Sequence, residues 1–183
     1  MIMKKTLIIN GSPRKKGDTA TLIAELKKHL TGEVVEISAY RSNIRPCVDC
    51  RQCQKTNMCV VRDDMDLIYA DDFDAVVMAY PVYYATAPGP IWSLLSRFQC
   101  YHEYLKTSKF PPVREKKAGL ILVAGGSGNE MKATPAAYIS CKMMNAHGLD
   151  EHMVISSKTD EVPAREDQET LAQLKELAAW LES

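Results

Sequence analysis

With 23 basic and 23 acidic side chains among 183 residues and a sequence pI of about 6.9, the chain lacks the basic surface that nucleic-acid binding requires. No apolar run approaches the ~18 residues of a membrane span, and the opening MIMKKTLIING has neither the core nor the cleavage site of a signal peptide. The expectation is one soluble, cytoplasmic domain, residues 1–183, with no nucleic-acid or membrane partner. Its six cysteines are expected as thiols or metal ligands rather than disulfides.

The first strand is Thr6 to Ile9, and it runs into the polar loop NGSPRKKGDT before a helix opens at about Asp18. That helix, Asp18 to Leu30, carries Leu22, Ile23, Leu26 and Leu30 along one stripe, with Gly32 as its expected stop. A second strand follows at Val34 to Ser38. Residues 39–62 break the pattern with a polar, cysteine-rich loop, after which Asp63 or Asp64 is expected to cap a short helix, Met65 to Ala70. Phe73 to Tyr80 is apolar and β-branched at its centre, as suits a strand buried on both faces. VYYATAPG then leads to a helix with Pro90 in its first turn and Ile91, Leu94, Leu95 and Phe98 facing inward. Residues 100–117 read as a long connection, of the kind that serves as a lid or partner surface. Ala118 to Ala124 is the fourth strand and ends in GGSGN. Thr134 and Pro135 read as N-cap and first residue of a helix running to about His147, stopped by Gly148. His152 to Ser156 is the fifth strand. The final helix spans about Arg165 to Leu181, with Leu171, Leu174, Leu177 and Leu181 at helical spacing.

Strands that alternate with helices in this way predict an α/β fold with a parallel sheet and right-handed crossovers. The size and strand number suit a flavodoxin-like three-layer sandwich, five parallel strands in the order 2-1-3-4-5 with helices on both faces. Its ligand crevice lies between strands 1 and 3, so SPRKKGDT, PVYYATAPG and GGSGN would line one site. The first of these loops puts backbone N–H groups, the positive end of a helix, and Ser12, Arg14, Lys16 and Thr19 at one point, a cradle for a terminal phosphate. It lacks the Gly-Lys of a P-loop and the GxGxxG of a dinucleotide site. A phosphate cradle beside Tyr83 and Tyr84 and the Gly125-Gly126 turn suits a flat ring joined by a polar chain to one phosphate, as in FMN, whose reactivity belongs to the cofactor. No Ser-His-Asp or Cys-His arrangement is legible, and no catalytic side chain is assigned.

Cys47, Cys50, Cys53 and Cys59 are spaced C-x2-C-x2-C-x5-C, a compact run able to wrap a [4Fe–4S] centre. Zinc, which usually takes two separated C-x2-C pairs, and a metal-free loop are the alternatives. Cys100 and Cys141 read as isolated, Cys141 as a small core residue, and the four histidines form no ligand spacing.

NGSPRKKGDT, PCVDCRQCQKTNMCVVRDDM, AYPVYYATAPGPIWSLLSRF and VAGGS together resemble the flavodoxin-like NAD(P)H-dependent FMN reductases, specifically their iron–sulfur flavoprotein branch. The resemblance implies an FMN-binding sandwich that assembles as a homodimer or homotetramer. It implies that Ser12, Arg14, Asp18 and Thr19 hold the FMN phosphate, that Pro81, Val82, Tyr83, Tyr84, Gly125 and Gly126 hold the ring, and that the four cysteines are cluster ligands. Two departures stand out: Asp18 replaces a customary Asn, and Ala-Thr-Ala-Pro follows Tyr84 where the family has a Gly-Ser turn. The expected activity is transfer of electrons from NAD(P)H through FMN to a quinone, flavin, nitro compound or protein acceptor. A non-enzymatic FMN and iron–sulfur carrier is the alternative, and a zinc-bearing interaction module without flavin is a third reading.

Overall fold

The computed structural model of the chain describes residues 4–56, 58–102 and 113–183. KTLIIN, almost wholly buried, forms β1, Lys5–Asn10, at the centre of the sheet. It pairs in parallel with β2, Glu33–Ser38, on one side and with β3, Ala75–Pro81, on the other. Beyond β3 lies β4, Lys116–Val123, so the order begins β2-β1-β3-β4. The chain leaves β1 toward one edge and returns beyond it toward the other, which puts a topological switch point between β1 and β3. The flavodoxin-like order holds, but its fifth position is divided. β5, Ala146–His147, pairs with Lys116 and Lys117, and β6, Met153–Ser156, pairs with Leu120 to Val123.

Alternation along the strands builds two cores. Ile8, Val77, Ala79 and Ile121 face α1, Asp18–His29, and α6, Gln168–Glu182, through Leu22, Leu26, Leu174 and Leu177. Leu7, Ile9, Val76, Met78 and Leu120 point the other way. There they meet α3, Met65–Tyr69, α4, Gly89–Ser96, and α5, Pro135–Met143, through Met65, Ile68, Ile91, Leu94 and Ala137. α2 is the short turn Cys53–Thr56. No helix among the described residues is long and apolar enough to cross a membrane.

Several boundaries differ from the sequence reading for definable reasons. The helix expected to reach His147 ends at Met143, because Asn145 adopts φ +52° and its backbone carbonyl accepts from Lys116 N at 3.0 Å. Its side chain also donates to the Val113 carbonyl at 2.9 Å, so the chain is drawn onto β4. Asparagine tolerates this left-handed turn better than most residues. Thr134 does not cap that helix: it continues the preceding turn, with its hydroxyl donating to the Met131 carbonyl. Gly32 is no left-handed stop; a Cβ there would lie 2.1 Å from the Lys4 carbonyl oxygen, so close approach to β1 demands glycine. Of the expected 100–117 connection, residues 103–112 lie outside the described residues. Residues 99–102 are helical, and Lys116 and Lys117 already belong to β4.

The last helix starts later than expected, after a 3-10 turn, because Asp167 caps it: its carboxylate accepts from Thr170 N at 3.0 Å and from the Thr170 and Ser156 hydroxyls. Burial alone would raise this carboxyl, but those hydrogen bonds outweigh it and hold the group below the usual carboxylate range. A carboxyl depressed by folding adds stability above its unfolded pKa of ~3.9 and loses it as pH falls through the folded value. Asp167→Ala is therefore expected to cost about 1 kcal/mol at neutral pH. Denaturant melts of both proteins from pH 7 to pH 2 should show that gap closing only in the acid range.

Candidate functional site

The loop after β1 is shaped by its first residue. Asn10 is buried; its Oδ1 accepts from Ser12 N at 2.8 Å while its Nδ2 donates to Glu36 Oε1 at 2.7 Å. Ser12 in turn accepts the Arg14 N–H, folding the loop back over the start of α1. That start has no side-chain cap; its first backbone bond runs from Thr21 N to the Gly17 carbonyl. The N–H groups of Asp18, Thr19 and Ala20 are thus available to an anion, with the positive end of the helix behind them. Asp18, whose charge would oppose an anion, has Oδ1 engaged by Ala164 N at 3.0 Å.

Ser12, Arg14, Gly17, Asp18 and Thr19 form one wall of a pocket whose other walls are Pro81, Val82 and Tyr83 from the β3 loop and Gly125 from the β4 loop. Lys16 is exposed and not on that wall. A second hollow adjoins it at Val82 and Gly125, lined also by Tyr84, Gly126, Asn129 and Glu130. The loops after β1, β3 and β4 therefore do converge. Tyr83 and Thr86 bond each other's backbone at 2.9 and 3.0 Å around Tyr84 and Ala85, at φ +50° and +58°. This is the signature of a type I′ turn, made without the glycine that usually relieves it. Trp92 Nε1 donates to Thr86 Oγ1 and braces the turn, and the Tyr84 side chain is left fully exposed. Two left-handed non-glycine residues beside a pocket are the kind of strain that collects at functional sites.

The cysteines meet in a separate hollow near the C-terminal end of α4. Cys47, Cys50, Cys53 and Cys59 line it together with Arg97, Gln99 and Cys100. The Cys53 thiol is pushed up first by burial and then by Cys59, Cys47 and Cys50 nearby. Cys50 sits between Asp49 and Arg51, both left-handed, so the chain doubles back around it. Among the described residues no three cysteine, histidine or carboxylate side chains stand in metal-holding geometry. Cys100 is not isolated as the sequence suggests; it is a fifth thiol on this wall. Burial pushes it up, it stays protonated, and it donates to the Arg97 carbonyl at 3.3 Å. Cys141 is buried away from both hollows, pushed up to about 12 by burial.

Residues 4–160 match the family described as NADPH-dependent FMN reductase. The chain belongs to that family. An iron–sulfur flavoprotein of Archaeoglobus fulgidus is 29% identical over 150 residues, 79% of this chain and 64% of its own length. Another from Methanosarcina thermophila is 31% identical over 126 residues, 66% of this chain and 63% of its own. The chain thus spans somewhat less than two thirds of these curated relatives. The solved structure of an FMN-dependent NADH-azoreductase from Bacillus anthracis, in complex with FMN, has a TM-score of 0.63 at 11% identity. The likeness covers 99% of this chain and 100% of that one, and is one of fold.

Within this FMN reductase family member, sequence reasoning missed Thr159 and Asp160, which complete the first pocket. Lys158 N bonds the Gly126 carbonyl and Thr159 N the Ala124 carbonyl, so this turn is strapped to the glycine loop. The Asp160 carboxylate stands 2.4 Å from where a Gly125 Cβ would be, so any larger residue there would have to turn that side chain aside. Only a signal three-dimensional in origin could reveal this, since the residues lie far apart in sequence.

Proposed function

We propose that the chain holds FMN across these adjoining hollows and works as an NAD(P)H-dependent oxidoreductase toward a small-molecule or protein electron acceptor. The observation that carries the reading is the convergence at the switch point of an uncapped helix start, a tyrosine turn and an open glycine turn. The donor set fits the cofactor: Ser12, Thr19 and the first N–H groups of α1 suit its phosphate, with Arg14 supplying charge at the wall. A Cβ at Gly126 would meet nothing within 4 Å, so this turn offers open room for a flat ring beside Pro81, Val82, Tyr83 and Tyr84. When bound, FMN would supply two-electron acceptance and stepwise release, while the chain orients the ring and limits water on its buried face.

The same reading assigns Cys47, Cys50, Cys53 and Cys59 to a [4Fe–4S] cluster. Four thiols around one hollow are the right donors, and the relatives named iron–sulfur flavoproteins support it. Assembly as a homodimer or homotetramer belongs to the same reading. An anaerobic absorption spectrum of fresh protein, with iron, sulfide and zinc assayed on the same sample, tests the proposal. Flavin peaks with a broad iron–sulfur shoulder are expected, bleached by NAD(P)H. Bleaching only by a protein reductase would favour a carrier, and a colourless protein that refuses added FMN would overturn the assignment.

A further inference from the structure

The cysteine segment has little core of its own: residues 45–52 are exposed and its single helix, α2, has no buried residue. Its shape is imposed by the end of α4. Cys47 N donates to Ser96 Oγ at 2.9 Å. The Arg97 guanidinium donates from Nη1 to the Arg45 carbonyl and from Nη2 to the Val61 carbonyl, each at 3.0 Å. Those carbonyls lie just before the first and just after the last cysteine, so one planar fork closes the neck of the segment. Asp63 seats the fork, accepting Nη1 at 2.6 Å and Arg45 N at 3.1 Å, with both charged side chains essentially buried. Arg97 also lines the sulfur hollow, and its buried Nε has no hydrogen-bond partner among the described residues. Such a donor is costly to leave unmet, which points to a ligand on that side.

We propose that Ser96 and Arg97 form a clasp that holds the cysteine segment in its binding shape before any metal arrives, and that Arg97 then offers its Nε–H and positive charge to an anionic, sulfur-ligated centre. The second half rests on the reading of the four cysteines as ligands; the clasp does not. A four-thiolate cluster is an anion, and a cation already fixed beside it offsets part of the cost of taking that charge out of water. Lysine could keep the charge but not the fork, because it lacks the planar geometry that reaches several acceptors at once.

Trypsin, which cuts after Arg51 and Lys55, tests the clasp on iron-free protein, with flavin content and thermal midpoint reporting folding. Cleavage of Arg97→Lys at those residues is expected to rise roughly tenfold over wild type, and that of Ser96→Ala by a smaller factor, as the open population grows. Equal rates overturn the clasp; should Arg97→Lys not fold, Ser96→Ala decides alone. After anaerobic reconstitution with ferrous iron and sulfide, Arg97→Gln should show a more negative reduction potential than Arg97→Lys, and equal potentials overturn the charge role. Wild type that takes up neither iron nor sulfide overturns the ligand reading and the charge role together, while the trypsin comparison still decides the clasp.

Discussion

Cys53→Ser is expected to lose nearly all of its iron, from about four atoms per chain to less than one, while keeping its flavin. Cys53 is the least exposed of the first three cysteines and opens α2, so its sulfur is the one the surroundings fix best. Serine preserves the shape but would have to ligate as an alkoxide, which does not form at neutral pH, so one corner of the proposed ligand set is gone. The hollow proposed for flavin is built from other loops and should not register the change. Cys100→Ser makes the control: its thiol is kept protonated by burial, and its bond to the Arg97 carbonyl is one a hydroxyl can make. Iron, sulfide and flavin assays on the two variants check both statements. Equal iron in Cys53→Ser and wild type would remove Cys53 from the ligand set.

The second large effect is on stability. Asp63 receives Arg97 Nη1, Arg45 N and Met65 N while its side chain is 0% exposed. Burial would raise this carboxyl, yet the bonds from Arg97, Arg45 and Met65 prevail and hold it below the usual range. Asp63→Ala leaves the guanidinium buried without its counter-charge, and about 3–5 kcal/mol of stability should go with it. Because the folded pKa is depressed, the contribution is whole above ~3.9 and disappears as pH falls through the folded value. Urea unfolding of wild type and variant at pH 7 and pH 3 measures this directly. A difference below about 1 kcal/mol at pH 7 would mean the pair acts like one on the surface.

The layered fold was legible because strands such as AVVMAYP and helices with leucine stripes have periods set by local chemistry. The convergence of three loops followed from strand order, so Ser12, Thr19, Pro81 to Tyr83 and Gly125 could be named as neighbours without coordinates. What escaped was long-range. Lys116 sits in a run of basic residues that reads as solvated loop, yet it is fully buried, ion-paired with Asp71 and bonded to the Arg114 and Met144 carbonyls. Arg97 and Cys100 follow a helix stripe and look like its fraying end; the return of residues 45–63 across α4 gives Arg97 its partners and puts Cys100 on the cysteine hollow. The Gly32 and Gly125 contacts are likewise made by segments remote in sequence.

The divided fifth strand also governs how copies of this molecule can meet. An edge strand with a long, straight row of free N–H and C=O groups invites a neighbouring sheet to continue it. Here β5 has two residues and β6 four, and between them Gly148, at φ +89°, turns the backbone out of line under the Trp180 ring. The opposite edge, β2, carries Glu33 and Glu36. The β5/β6 margin is thus a short, bent template for edge-to-edge growth, while the β2 edge carries carboxylates held by Lys5 and Lys27.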